Sequence, residues 1–156
     1  MDKTNFLELK IPPPVVFFAF AGLMWLLSIA FPAASFELSE KKPITMAVAA
    51  VAGLLAGASI LSFLRAKTTL HPDKPERTTK LVVTGVYAIT RNPMYLSLLL
   101  LLIGWAVYLA NCASALPIPF FVAYLNRFQI MPEERALASL FGGEYEAYSR
   151  RVRRWL

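Results

Sequence analysis

The sequence predicts an all-α fold: a multi-pass membrane helix bundle of about four transmembrane helices, closed by a cytoplasmic C-terminal interfacial helix. Three observations carry that expectation. Of the 156 residues, 57% are hydrophobic and only 17% charged, against about 25% charged in an ordinary soluble domain. The charge is absent from three tracts, residues 11–31, 44–64 and 92–126. The lysines and arginines lie before, between and after those tracts rather than within them.

A helix needs about 20 apolar residues, at about 1.5 Å each, to cross roughly 30 Å of hydrocarbon. The first two tracts meet that length, and neither carries the polar stripe expected of a soluble core helix. Span one is expected over residues 15–31, behind Pro12, Pro13 and Pro14. Acids accompany the lysines ahead of it and a second span follows closely, so it reads as a retained span rather than a cleaved leader. Span two covers residues 44–64. The third tract is long enough for two short crossings, span three over 93–110 and span four over 115–130. Pro117 and Pro119 mark the start of the last one, and Asn126, Arg127 and Gln129 bring polarity to its end. Arg127 either marks the membrane boundary or lines a polar cavity shared with Glu133 or Glu134, since an arginine at depth needs a partner.

Orientation follows from the basic flanks. Residues 65–91 hold Arg65, Lys67, Lys74, Arg77, Lys80 and Arg91, and the tail holds Arg135, Arg150, Arg151, Arg153 and Arg154. The N-terminus, the 65–91 loop and the tail are therefore expected on the cytoplasmic side. Lys41 and Lys42 oppose this, offset by Glu37 and Glu40. In the tail, Leu137, Phe141, Tyr145, Tyr148, Val152 and Trp155 recur every three or four residues, the pattern of one helix face. Such a helix can lie in the headgroup plane, apolar side down, with Gly142 and Gly143 bending or dividing it. In span two, Ala52, Ala56, Gly53 and Gly57 could pack within or between chains, which leaves the oligomeric state open.

Three constellations could carry chemistry. Thr84-Gly85-Val86-Tyr87 precedes Arg91-Asn92-Pro93-Met94-Tyr95. Asn92 followed by Pro93 reads as an N-cap and first helical position. A helix start offers unpaired N–H groups and partial positive charge, which with Arg91 could hold a carboxylate or phosphate. Alternatively the group is only a cap, an interfacial arginine and a membrane-edge tyrosine. Glu133-Glu134 follows Pro132 at the expected end of span four, where acids favourably meet a helix start. Adjacent acids cannot face the same way, so unequal roles are expected. His71, in Pro-rich loop sequence, is a lone histidine without the companions a metal site needs.

The same residues resemble the isoprenylcysteine carboxyl methyltransferase and phospholipid N-methyltransferase superfamily of membrane methyltransferases. Its pattern sets Gly-x-Tyr ahead of Arg-His-Pro-x-Tyr, then a Glu-Glu pair and a tail with Phe-Gly-x-x-Tyr-x-x-Tyr. Here Gly85-Val86-Tyr87, Arg91-Asn92-Pro93-Met94-Tyr95, Glu133-Glu134, Phe141-Gly142, Tyr145 and Tyr148 stand in that order. The likeness covers residues 61–156, within a single domain of residues 1–156. It implies S-adenosylmethionine as methyl donor and a lipophilic small-molecule or lipid acceptor at the cytoplasmic membrane face. Arg91, Glu133 and Glu134 would then be catalytic. Arg91, Asn92, Tyr95, Glu133 and Glu134 would be cofactor-binding, with His71 and Tyr87 as weaker candidates. The family histidine is replaced by Asn92, which can donate or accept a hydrogen bond but cannot serve as a base near neutral pH.

The alternatives are a nicotinamide-dependent membrane reductase of related fold and a non-catalytic membrane scaffold. The net charge of +6 borders the expected spans, where anionic headgroups are the nearer partner, and a nucleic-acid role is not indicated. A single cysteine, Cys112, rules out an intramolecular disulfide.

Overall fold

A computed structural model describes residues 8–66 and 80–156, and all its regular elements are helices. In order they are α1 (Pro13–Ala30), α2 (Lys41–Ala66), α3 (Pro93–Leu109), α4 (Pro117–Leu125), α5 (Met131–Phe141) and α6 (Gly143–Arg151). Short 3-10 turns at Pro32–Ala34, Gly85–Ala88 and Cys112–Ala115 join them. His71 lies outside the described residues.

The first four helices alternate in direction, and α3 is the pillar on which the others lean. α2 packs chiefly on α3, while α1 packs on α3 and α4. Met24, Leu102, Phe121, Leu125 and Ile130 are fully enclosed at that junction. At one end of the bundle, Asn111 knots three segments. Its Nδ2 donates to the Phe31 carbonyl at 2.8 Å and to Ser35 Oγ at 2.9 Å, while its Oδ1 accepts the Ala113 amide. Lys41, at the start of α2, lies 5.8 Å from the Tyr108 ring centroid near the same end. The opposite end gathers the start of α1, the end of α2, the start of α3 and the end of α4, and carries the candidate site.

Among the described residues, only α1 and α2 are both long and apolar enough to cross a bilayer. Of their most apolar stretches only 17% and 11% is buried, so these are not enclosed helices of a soluble core. Phe18, Met46, Leu54, Leu64 and Phe120 face outward, an extent of exposed apolar surface that marks membrane association. α3 is apolar but 17 residues long.

Close approach of α2 to α3 depends on Gly104. A Cβ there would meet Val48 Cγ1 at 3.3 Å, and the Gly104 carbonyl accepts from Thr45 Oγ1 at 3.1 Å. Gly104→Val should therefore destabilise by about 1–3 kcal/mol through overpacking, read as earlier thermal unfolding in detergent. In α2 itself, Ala52 is buried while Gly53 and Gly57 face outward.

Two features differ from the sequence expectation. The fourth helix does not stop at Ile130. It passes through a π-helical turn, Asn126–Ile130, directly into α5 despite Pro132. Proline removes the N–H that would bond the carbonyl four residues back, and that carbonyl, on Phe128, instead accepts the Leu9 amide at 3.0 Å. Gln129 Nε2 donates to the Ile11 carbonyl beside it at 2.8 Å. The N-terminal segment thus completes the helix that Pro132 would otherwise break.

The second difference is the tail. Gly142, with φ +48°, does divide it into α5 and α6. Its apolar face, expected against headgroups, is covered by protein: Tyr145, Tyr148 and Val152 pack with Leu137 and Phe141 against Leu81 and Val83. Val152 and Trp155 lie beyond the helix, which ends at Arg151.

Candidate functional site

The segment leading into α3 is built around a left-handed glycine. Gly85 has φ +65°, and a Cβ there would sit 3.3 Å from Ser62 Oγ on α2. A left-handed turn so close to a helix favours glycine, and it drops Tyr87 into the protein. Ser59 Oγ donates to the buried Tyr87 hydroxyl at 3.0 Å, and Tyr148 donates to the Tyr87 carbonyl at 2.7 Å. Tyr87 is thereby a strut between α2 and the tail. Burial pushes its phenol above the ordinary tyrosine value.

Pro93 begins α3, and the Asn92 carbonyl accepts the Leu96 amide at 2.9 Å as the first helical bond. The Asn92 side chain, expected to cap the helix, does not. Its Nδ2 donates instead to the Arg154 carbonyl at 2.9 Å. Nearby, Thr90 Oγ1 accepts the Asn92 amide at 3.2 Å.

Arg91 and Glu134 meet here. Arg91 Nη1 lies 3.2 Å from Glu134 Oε1 and donates to the Tyr145 hydroxyl at 3.1 Å. Arg154 grips the same carboxylate in two-pronged fashion, Nε to Oε1 at 3.0 Å and Nη2 to Oε2 at 2.5 Å. Such forked, charge-assisted bonds fix a carboxylate's plane as well as its position. The hydrogen bonds to Glu134, with its charge, in turn raise the Arg154 pKa against the opposing effect of burial. Arg91 Nε is buried and has no hydrogen-bond partner among the described residues.

Glu133 turns away from this cluster, because successive residues on a helix are about 100° apart. Its carboxylate accepts a hydrogen bond from the Tyr95 hydroxyl, one turn into α3. Burial raises the Glu133 carboxyl to about 8; the Tyr95 hydrogen bond opposes that shift and the neighbouring Glu134 charge adds to it. Because α5 continues from the π-helical turn, the acids do not sit at a free helix start, and the dipole reading of the pair lapses.

The fold therefore pairs Arg91 with Glu134 and Tyr95 with Glu133, ties Asn92 to them through the Arg154 carbonyl, and buries Tyr87 against Ser59 of α2. Arg127 pairs with neither acid of the site. It and Arg135 both bind Glu8, Arg127 at 2.7 Å. Sequence reasoning missed Arg154 and Tyr145 as site residues. No helical spacing marks Arg154: Val152 is extended, so side chains alternate there, with Val152 buried, Arg153 exposed and Arg154 half-buried.

Apolar helices with an acid–arginine cluster gathered at their ends define a helical membrane-associated protein with a polar site at one end of the bundle. The chain belongs to the phospholipid methyltransferase family, whose model matches residues 43–144, more than half of its length. It is 34% identical over 99 residues to protein-S-isoprenylcysteine O-methyltransferase B of Arabidopsis thaliana, covering 64% of this chain and 50% of that protein. With the protein-S-isoprenylcysteine O-methyltransferase of Schizosaccharomyces pombe it shares 33% over 72 residues, 46% of this chain and 30% of that one. An uncharacterized protein of Haemophilus influenzae is 49% identical over 63 residues, 40% of this chain and the whole of that protein. The chain thus spans half or less of the two named methyltransferases. No solved structure matches it.

Proposed function

We propose that this chain transfers a methyl group from S-adenosylmethionine to a carboxylate or amine of a lipophilic acceptor at the cytoplasmic membrane face. The observation that carries the reading is the convergence of Arg91, Glu134, Tyr95 and Glu133 at the start of α3 in a chain of this family. The donor set suits the methyl donor. The buried Arg91 Nε has a spare N–H for a carboxylate, and Glu134 is an acid suited to an ammonium. When bound, S-adenosylmethionine supplies a methyl group on a positively charged sulfur that is already a good leaving group.

The residues' tasks are then alignment and control of protons and water. Arg91 and Glu134 orient the methyl donor's charged end, with Asn92 and Tyr87 bordering the site. Tyr95 and Glu133 face the acceptor side, and Glu133 holds or takes a proton at its carboxylate. Four crossings are proposed, α1, α2, α3 and α4 with its π-helical turn, which put both termini and the site on one face. Arg65, Lys80, Arg91 and the tail arginines belong to that end, and their excess supports a cytoplasmic orientation for it.

The test is transfer of radiolabelled methyl from S-adenosylmethionine in membranes containing the protein, followed by lipid fractionation, with Glu134→Gln and empty membranes as controls. Label in one lipid fraction, dependent on the intact protein, is expected. Absence of label together with no binding of S-adenosylmethionine to the purified protein would remove the reading in favour of a scaffold or a reductase.

A further inference from the structure

Beyond α6 the chain runs as an extended strap over the start of α3. The Arg91 amide donates to the Arg153 carbonyl at 3.0 Å. Thr90 Oγ1, at 3.3 Å, and Asn92 Nδ2, at 2.9 Å, both donate to the Arg154 carbonyl. Trp155 Nε1 closes the strap onto Asn126 Oδ1 at 3.0 Å. Held by its backbone in this way, Arg154 presents its guanidinium to both oxygens of Glu134 and shares Oε1 with Arg91.

We infer that Asn92 is a positioning residue: by holding the Arg154 carbonyl it fixes the C-terminal strap, and through Arg154 it fixes the Glu134 carboxylate of the proposed methyl-donor site. The inference rests on that reading for its functional consequence and on the hydrogen bonds alone for the positioning. The task requires an N–H donor at this point of the side chain, not a base and not a positive charge. An asparagine amide and a neutral imidazole both supply one. The replacement of the family histidine therefore keeps the donor while giving up the titration. Aspartate, of the same shape, has no donor when ionised and sets a negative charge against a carbonyl.

The experiment uses the full chain in lipid nanodiscs and compares Asn92→Asp, Asn92→Ala, Asn92→His, Arg154→Gln and the Asn92→Asp/Arg154→Gln double variant. The first readout needs no cofactor: amide hydrogen exchange over residues 90–92 and 152–156. Exchange is expected to rise about tenfold in Asn92→Asp, and less in Asn92→Ala, the loss of one net hydrogen bond, and to return to wild type in Asn92→His. The second readout separates KM from kcat. Asn92→Asp should raise KM for S-adenosylmethionine about tenfold with kcat little changed, and Asn92→His should restore it. In the double variant the effect should not exceed that of Arg154→Gln alone, because both act on one network. Additive losses, unchanged exchange in both Asn92→Asp and Asn92→Ala, or failure of histidine to rescue would each overturn the inference. If the wild-type chain binds no S-adenosylmethionine, the functional reading fails, and the exchange readout still decides whether Asn92 holds the strap.

Discussion

Replacing Arg91 by lysine is expected to lower methyl transfer by about 100-fold or more, while the protein still folds and inserts. Arg91 serves three directions at once. Its Nη1 meets Glu134 and Tyr145, and its Nε is buried without a partner among the described residues. A lysine ammonium could follow one of these, most readily Glu134, but it is a single point charge without a planar fork. The lost contacts are charge-assisted and partly desolvated, where one bond is worth about 1.5–3 kcal/mol, and about 2.7 kcal/mol is a hundredfold. Arg91→Gln should lose more, since it also leaves Glu134 with Arg154 as its remaining basic partner in the site. Thermal unfolding and S-adenosylmethionine binding measured alongside the rates separate the two meanings of a loss. A folded Arg91→Lys protein with wild-type rates would show that the spare N–H faces nothing the reaction uses.

The helices were legible because their boundaries are written in local chemistry. The helix expected over residues 15–31 is α1 at Pro13–Ala30, and the helix expected over 93–110 is α3 at Pro93–Leu109. In both, a proline opens a tract free of charge, and proline is suited to the first turn because its missing N–H would have no helical partner there. The fourth helix was misjudged for the converse reason. Pro132 ordinarily ends a helix, but here the freed Phe128 carbonyl is satisfied by Leu9, from the other end of the chain. No reading of the residues around Pro132 could supply that partner.

The candidate site was legible in its residue types and not in its closure. Arg91 stood out beside an expected helix start, Glu133 and Glu134 as adjacent acids after Pro132, and Tyr95 with them in the motif of the family resemblance; the structure pairs Arg91 with Glu134 and Tyr95 with Glu133. Arg154 was hidden among four basic tail residues, which look alike as a charge run. The spacing of three or four carried the eye past Arg151 to Trp155, whereas the chain there is extended and alternates in steps of two. Arg127 shows the same limit. The cavity reading set its partner at Glu133 or Glu134, and the partner is Glu8.

Glu133 is expected to give the proposed reaction a pH dependence that distinguishes the two acceptor classes. Burial, opposed by the Tyr95 hydrogen bond and reinforced by the Glu134 charge, lifts its carboxyl to about 8, so it is mostly protonated at pH 7 and ionises as pH rises through 8. A protonated amine acceptor must lose a proton before it can attack, and only ionised Glu133 can take it. For that class kcat/KM should climb about tenfold per unit of pH and level off above about 8. Glu133→Gln should be about 100-fold slower at the plateau and should lack that inflection. A carboxylate acceptor needs no base, so its rate should pass through pH 8 without an inflection and Glu133→Gln should retain most activity. Stability supplies an independent check of the same group. Its folded value lies above the ordinary carboxylate value of about 4.3, so the folded state binds the extra proton between the two. Its stabilising contribution is full below about pH 4 and lost as pH rises through 8. The wild-type unfolding temperature should fall between pH 6 and pH 9, and Glu133→Gln should lose that part of the fall. Identical pH dependence of unfolding in the two proteins would mean that Glu133 titrates as an ordinary carboxylate, and the acceptor argument would go with it.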